Sequence, residues 1–112
     1  MNEDYPVFRK WYAALDWILD RCENFPKSVR FTISTRISNI SLDILEKIVE
    51  AIYSKNRLEI LQSANLDIEK LRVFFRIAFE RKYISSKQYE YISRELNEFG
   101  KMAGGWIKSC KE

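Results

Sequence analysis

The chain has 112 residues, 46% hydrophobic and 31% charged, which is enough apolar material for one compact domain over residues 1–112 and too little length for two. It contains no histidine, three glycines and two prolines, so imidazole metal ligands, Ser-His or Cys-His catalysis and turn-rich all-β folds are disfavoured. Nineteen Lys and Arg residues against sixteen Asp and Glu residues give a net charge of +3, which by itself indicates solubility more than a partner.

The first predicted helix runs from about Tyr5 to Glu23. Apolar residues recur there at helical spacing and form one broad stripe, whose members are Phe8, Trp11, Tyr12, Leu15, Ile18, Leu19 and Cys22. The segment Asn24–Pro26 ends this helix, because the residue before a proline is pushed out of the α region.

The second predicted helix runs from about Ser28 to Ser54, and its start is the one place where strand and helix patterns compete. The segment Phe31–Thr35 alternates with period two and is rich in β-branched residues, as a strand would be. Further on, apolar residues step by three and four, which only a helix places on one face: Ile33, Ile37, Ile40, Ile44, Ile48 and Ala51. We therefore predict a helix throughout.

The third predicted helix runs from about Arg57 to Lys82 and is apolar around more of its girth than the others, so we expect it to contact more than one neighbour. Its seam is Leu61, Ala64, Ile68, Leu71, Phe75 and Ala78, with Leu66, Val73, Phe74, Ile77 and Phe79 beside it. A capping box of Ser85 and Gln88 predicts the start of the fourth helix. The seam of that helix is Tyr89, Ile92, Leu96, Phe99, Ala103, Trp106 and Cys110.

Four helices with short connections predict an all-α fold, an antiparallel up-down-up-down four-helix bundle. In this topology Cys22 and Cys110 lie at opposite ends, so we expect two buried structural thiols and no disulfide. Neither cysteine has a partner at metal-ligand spacing, and we expect no metal and no cofactor. The acidic N-terminus and the lack of a run of ~18 apolar residues predict a cytoplasmic protein without membrane contact.

All three glycines interrupt the seam of the fourth helix, at Gly100, Gly104 and Gly105. Each mid-helix glycine costs about 1 kcal/mol relative to alanine. One interpretation is that the helix ends at Gly104 or Gly105, with glycine as a C-cap. The other is that small residues at four-residue spacing let another helix approach closely, within the bundle or between subunits, with Trp106 filling the space beside them.

A first basic stretch lies at the start of the second helix. No acidic residue occurs from Asn24 through Leu42, while Lys27, Arg30 and Arg36 stand among hydroxyl side chains. Guanidinium groups and hydroxyls donate hydrogen bonds to phosphate oxygens, so this stretch is a candidate phosphate-contacting surface. An ordinary solvated helix face explains the same pattern.

A second basic stretch lies on the third helix. Its residues Arg72 and Arg76 have carboxylates at helical spacing in Glu69 and Glu80, so surface salt bridges explain both arginines equally well. A further basic area, shared with the last helix, is predicted from Arg81, Lys82, Arg94, Lys101, Lys108 and Lys111. The chain lacks the alternation of aromatic and basic residues that is typical of single-strand reading surfaces.

The sequence offers no candidate for catalysis. A di-iron bundle site needs Glu-x-x-His, which cannot occur in a chain without histidine. A glycine-rich phosphate loop is also lacking, because the glycines follow a helix and not a strand. We therefore expect a protein that is not an enzyme.

Short motifs along nearly the whole chain resemble one family. They are Phe25–Lys27, Arg30–Thr32, Arg36–Ile37, Leu71–Arg72, Arg76–Ala78, Tyr83–Ser85, Lys87–Tyr89 and Gly100–Lys108. Together they resemble Avd, the accessory variability determinant of diversity-generating retroelements, whose relatives include proteins encoded in 23S ribosomal RNA intervening sequences. The terminal Gly-x-x-x-Gly-Gly-Trp-Ile-Lys segment and the Phe-Pro-Lys turn are the most specific parts of the likeness.

The resemblance implies a non-catalytic accessory subunit that assembles into a homopentameric barrel of four-helix bundles. It also implies binding to the retroelement's reverse transcriptase, and to template RNA or cDNA through a positively charged surface during mutagenic copying. A net charge of +3 departs from a family described as highly basic, so assembly would be part of the binding mechanism. The alternative is a scaffold of the intervening-sequence type that makes protein contacts alone.

The resemblance and the charge pattern together nominate residues for two surfaces. Carried over by position, the nucleic-acid or polymerase residues are Lys27, Arg30, Arg36, Arg72 and Arg76. The charge pattern adds Arg81, Lys82, Lys101 and Lys108 to this set. The candidate helix-packing or oligomer surface is the terminal motif, with Gly100, Gly104, Gly105 and Trp106.

Overall fold

The computed structural model describes residues 2–111 and is all-helical over that range. Its helices are α1 (Pro6–Glu23), α2 (Thr35–Tyr53), α3 (Arg57–Glu80) and α4 (Ser86–Cys110), preceded by a short 3₁₀ turn at Asn2–Asp4. They form a rod of about 45 × 23 × 22 Å. The predicted four-helix bundle is confirmed. None of these helices is apolar over enough length to cross a lipid bilayer.

Contacts at the two ends of the rod establish the antiparallel order. At one end, the Tyr5 ring before α1 lies 5.6 Å from the Trp106 ring near the end of α4. At the other end, the Phe25 ring after α1 lies 5.7 Å from the Tyr83 ring before α4. Each helix packs against the next, and α1 packs against α4, so α3 contacts two neighbours as predicted.

The core is formed by the predicted apolar seams. Every seam residue of α3 is buried. Most of the α2 seam is buried, at Ile37, Ile44, Ile48 and Ala51, and so is the α4 seam from Ile92 to Ala103. One predicted core residue lies outside the core: Tyr12 is 60% exposed, although its ring stacks on Phe8. Several other predicted core residues are only half-buried; they are Leu19, Ile33, Ile40, Tyr89, Trp106 and Cys110. Both cysteines are free thiols, and burial raises the pKa of the Cys22 thiol. The expectation of no disulfide is confirmed, whereas the expectation of two buried thiols holds for Cys22 alone.

The helix ends follow local sequence rules. The first turn of α1 contains Pro6, where a missing N–H is harmless. The capping box before α4 is confirmed: the Gln88 N–H donates to Ser85 Oγ at 3.1 Å, and the Ser85 N–H donates to Gln88 Oε1 at 2.8 Å. Arg57 covers the end of α2, because its Nε donates to the Ala51 carbonyl at 2.8 Å.

The segment where strand and helix patterns compete is helical but irregular. A 3₁₀ turn at Lys27–Val29 leads into a π-helical turn at Arg30–Ser34, and α2 proper begins only at Thr35. Side-chain hydroxyls compete here for backbone carbonyls: Ser34 Oγ donates to the Cys22 carbonyl at 2.8 Å, and Thr35 Oγ donates to the Arg30 carbonyl. The prediction that the chain is helical from Ser28 is thus confirmed. The backbone before Thr35, however, is 3₁₀-helical and π-helical instead of α-helical.

Candidate nucleic-acid interface

One end of the bundle is rich in cations, and its two chain connections contain no carboxylate, although Glu23 and Glu80 flank them. We call it the basic end and define it as the two connections that meet there, residues 24–34 and 81–87. It contains five exposed cationic side chains and no Asp or Glu in either connection; the five are Lys27, Arg30, Arg81, Lys82 and Lys87. Because cations concentrated in a region without carboxylates raise the local positive potential, this end attracts polyanions more than the net charge suggests.

Aromatic contacts join the two connections of the basic end. The buried Phe25 ring packs against Tyr83, which binds one connection to the other. Arg81 then folds over the same ring: its Nε donates to Tyr83 Oη at 2.9 Å, and its guanidinium carbon lies 5.9 Å from the ring centroid. The cations of both connections therefore belong to one surface.

An open cleft of about 670 Å³ lies between the end of α1 and the beginning of α2. Two cations, Lys27 and Arg30, line it with a single carboxylate, Glu23. The rest of the lining is Leu19, Cys22, Asn24, Phe25, Pro26, Ser34, Thr35, Ser38 and Asn39. In the part of the chain that the structure describes, neither cation has a carboxylate within ion-pair distance.

The hydroxyl groups predicted to accompany these cations are engaged internally. Thr32 Oγ1 donates to the Val29 carbonyl at 3.3 Å, and Ser38 Oγ donates to the Ser34 carbonyl at 2.9 Å. The hydroxyls of Ser34, Thr35 and Ser41 likewise donate to backbone carbonyls. The structure therefore corrects the predicted surface: its donors to phosphate are the basic side chains, and the hydroxyls stabilise the irregular backbone.

The structure brings six of the nine nominated basic residues to this end of the rod. Four lie in the connections, while Arg36 is in the first turn of α2 and Arg76 is near the end of α3. The prediction that Arg81 and Lys82 form one basic area with the lysines along the last helix is wrong for the far part of that helix. The α4 residues Lys101 and Lys108 lie toward the opposite end, because α4 runs away from the basic end for 25 residues, about 37 Å.

The salt bridges predicted on α3 are present. Arg76 Nε lies 3.4 Å from Glu80 Oε2, and Arg72 Nε lies 3.1 Å from Glu69 Oε1. Arg72 also donates to Asn97 Oδ1 at 2.5 Å, which fixes it between α3 and α4. Arg72 thus has a structural role in the bundle, whereas the exposed Arg76 remains accessible.

Lys82 is held in a backbone conformation that favours glycine. Its φ is 64°, and it follows the end of α3 in a Schellman motif: the Tyr83 N–H donates to the Ala78 carbonyl at 2.8 Å and the Lys82 N–H to the Phe79 carbonyl at 3.0 Å. A residue with a side chain is strained there. The sequence pattern missed this feature. It also missed Lys87, although the run without carboxylates from 81 to 89 signals it.

The terminal glycines do not end α4, which continues through all three to Cys110. The C-cap interpretation is therefore wrong. Close packing within the bundle is also wrong, since a Cβ at Gly104 or Gly105 would meet nothing within 4 Å and one at Gly100 would make an ordinary contact. Beside them, the half-buried Trp106 ring packs against Tyr5 and under the Arg57 guanidinium, 5.4 Å from the centroid. A contact between subunits stays a prediction.

Comparison with known proteins identifies the family. No curated protein matches the sequence. Among solved structures, the crystal structure of a protein of unknown function from the S23 ribosomal protein family of Bacteroides thetaiotaomicron VPI-5482 shares the fold, with a TM-score of 0.85 and 20% identity, over 96% of this chain and 99% of that chain. The model of the bAvd-like family matches residues 7–110, which confirms the resemblance to Avd. The chain belongs to the bAvd-like family.

Proposed function

We propose that this chain is a non-catalytic accessory subunit of a diversity-generating retroelement that holds template RNA or cDNA at the basic end and binds the reverse transcriptase. The observation that carries the proposal is the basic end itself, with five exposed cations and no carboxylate in its two connections. Contacts to phosphates are not specific for sequence, so this surface binds the nucleic-acid backbone and leaves base reading to the polymerase.

The backbone at Lys82 supports this assignment. Glycine would relieve the strain at its φ of 64°, yet the position carries an exposed cation in the middle of the basic end. Strained residues concentrate at functional sites, where the function of the side chain offsets the conformational free energy of the strain.

We further propose that the chain acts as a homopentamer. One subunit has a net charge of only +3, which gives weak attraction to nucleic acid, and a ring of five multiplies that attraction over one particle. Four exposed apolar side chains on α1, α2 and α3 are available for contacts between subunits; they are Tyr12, Leu42, Leu66 and Val73.

The proposal is tested by RNA binding in a salt series. We expect the purified protein to bind RNA with an affinity that falls steeply as salt rises, because each neutralised phosphate releases counterions. A triple variant of the basic end, Lys27→Gln with Arg30→Gln and Arg81→Gln, is expected to weaken binding and flatten the salt slope by about one unit per contact removed. Binding that is equal at low and high salt would contradict the proposal.

A charge-matched variant controls for a general loss of positive charge. The substitutions Lys55→Gln, Lys108→Gln and Lys111→Gln remove three exposed cations from the opposite end of the rod. We expect this variant to retain most of the RNA affinity. Capture of the cognate reverse transcriptase by the wild-type protein, with and without RNA, tests the second partner; failure of capture in both conditions would contradict that part.

A scaffold that makes protein contacts alone is the second candidate. It is favoured by the open space beside Gly104 and Gly105 on α4, which leaves that helix face free for another protein. It predicts assembly without RNA binding. A gene for a reverse transcriptase next to paired template and variable repeats favours the first function, whereas a location within a ribosomal RNA gene favours the second.

A further inference from the structure

Phe31 lies outside the core. Its side chain is 86% exposed, the largest value among the large apolar side chains in residues 2–111. No other aromatic ring of that range packs against it. Its neighbours Val29 and Ile33 pack against the core instead. Since single exposed apolar residues are common on proteins, the surroundings of Phe31 decide what its exposure means.

The backbone that presents Phe31 is tied down on both sides. The π-helical turn at Arg30–Ser34 is fastened to α1, because Ser34 Oγ donates to the Cys22 carbonyl at 2.8 Å. Within the turn, Thr35 Oγ1 donates to the Arg30 carbonyl and Thr32 Oγ1 to the Val29 carbonyl. The ring therefore projects from a fixed backbone, which lowers the conformational entropy that a bound partner must remove.

The surroundings of Phe31 are cationic. Arg30 directly precedes it, and Lys27 lies one turn earlier; both are exposed, and neither has a carboxylate within ion-pair distance among the described residues. An aromatic face beside unpaired cations complements a polymer of flat bases and phosphates. An apolar protein partner fits less well, since covering the ring would desolvate both cations without neutralising them.

We propose that Phe31 is a stacking platform for an unpaired base of single-stranded nucleic acid, with Lys27 and Arg30 binding the adjacent phosphates. The inference rests on the proposed function, because it requires the basic end to bind nucleic acid. It adds a preference for single strands over duplexes, since the bases of a duplex are already stacked on one another. No sequence preference follows, because every base has a π face.

The test compares a fluorescein-labelled single-stranded RNA with a blunt duplex of the same sequence by fluorescence anisotropy. We expect Phe31→Ala to weaken single-strand binding about tenfold, the size typical of losing one stacked base, and to leave duplex binding unchanged. The salt slope is expected to stay at its wild-type value, because no charge is removed. Arg30→Gln is expected to flatten that slope for both RNAs.

Three further variants separate stacking from general apolar contact. Phe31→Trp keeps a stacking face and is expected to retain single-strand affinity, whereas Phe31→Leu is expected to lose as much as Phe31→Ala. Tyr53→Ala, which removes an exposed aromatic ring at the opposite end of the rod, is expected to change nothing. The stacking inference is overturned if Phe31→Ala binds single strands as wild type does, if it weakens both RNAs equally, if Phe31→Leu restores affinity, or if Phe31→Ala loses only polymerase capture. If the wild-type protein binds neither RNA, the proposed function itself fails.

Discussion

The contact between the Phe25 and Tyr83 rings makes one surface out of two chain connections. The rings lie 5.7 Å apart, and Phe25 is buried while Tyr83 also supports the Arg81 guanidinium. The cations of residues 24–34 and 81–87 belong to different helix pairs, α1–α2 and α3–α4, and this contact joins the two connections directly. The arrangement of the basic end therefore depends on an aromatic pair that carries no charge.

We predict that Phe25→Ala weakens both folding and RNA binding. Truncating a buried phenylalanine costs about 3 kcal/mol of the free energy of unfolding, measured by urea denaturation, and the separated connections should lower RNA affinity in anisotropy titrations. As a control, Tyr83→Phe keeps the ring contact and removes one hydrogen bond, at a cost of about 1 kcal/mol. A Phe25→Ala protein that unfolds more easily but binds RNA normally would show that the two connections bind independently.

Lys82→Gly is predicted to stabilise the protein and weaken its function. Relief of the strain at φ 64° should raise the free energy of unfolding by about 1 kcal/mol. Loss of the cation should lower RNA affinity and flatten the salt slope by about one unit. Lys82→Asn, which tolerates this conformation and also lacks the charge, is the control and should bind RNA as Lys82→Gly does. Undiminished RNA affinity in both variants would remove Lys82 from the interface.

Substitutions at Gly105 test whether this face of α4 is free or is covered by another subunit. Nothing lies within 4 Å of a Cβ added there, so Gly105→Ala should raise the helical stability of an isolated chain by up to about 1 kcal/mol. If another subunit covers this face, Gly105→Leu should break the assembly, as measured by light scattering coupled to size-exclusion chromatography. An unchanged assembly in Gly105→Leu would place the interface elsewhere.

The ion pair between Lys10 and Glu98 predicts a pH dependence of stability. The Lys10 ammonium hydrogen-bonds to Glu98 and so lowers the pKa of that carboxyl from 4.5, and the same bond, with help from Glu95, raises the pKa of Lys10 from 10.5. The contribution of this ion pair to the free energy of unfolding is therefore complete between pH 4.5 and pH 10.5. It is lost as the pH falls through the folded pKa of Glu98 or rises through the folded pKa of Lys10.

Urea midpoints of wild type and Glu98→Gln measure this effect. Their difference should be largest near neutral pH and should shrink as the pH falls below 4.5. Glu90→Gln, at an exposed position on the same helix, is the control and should differ little from wild type at any pH. A difference that persists in acid would show that Glu98 acts through packing and not through its charge.

Sequence patterning was sufficient for the fold because the core is periodic. The seam of α3 from Leu61 to Ala78 is buried at every predicted position, and the Ser85 capping box starts α4 as expected. Tyr12 departs from the pattern because it lies at the edge of the apolar stripe of α1. That stripe is broader than the surface that the neighbouring helices cover, so Tyr12 is exposed to water. Periodicity places residues on a face, and packing then decides where the face ends.

The candidate site was less predictable, because it depends on which chain ends meet. The charge pattern alone groups Arg81 and Lys82 with Lys108, a residue that antiparallel packing places toward the far end of α4. The exposure of Phe31 is also not predictable from the sequence. The segment Phe31–Thr35 fits both a strand pattern and a helix pattern, and neither pattern contains the π-helical turn that is present. The aromatic and basic combination at the basic end appears only after that turn has formed.

The π-helical turn at Arg30–Ser34 also sets the direction in which the residues just before it, such as Lys27, project from the axis of α2. A π turn holds one residue more than an α turn, and one residue corresponds to a rotation of about 100° around the helix axis. Removal of a single residue here would let α2 continue as a regular helix, and would turn the residues just before it, including Lys27, by about 100° around the α2 axis. The length of this short segment therefore fixes both the direction in which Lys27 and Arg30 project and the register in which Val29 and Ile33 reach the core.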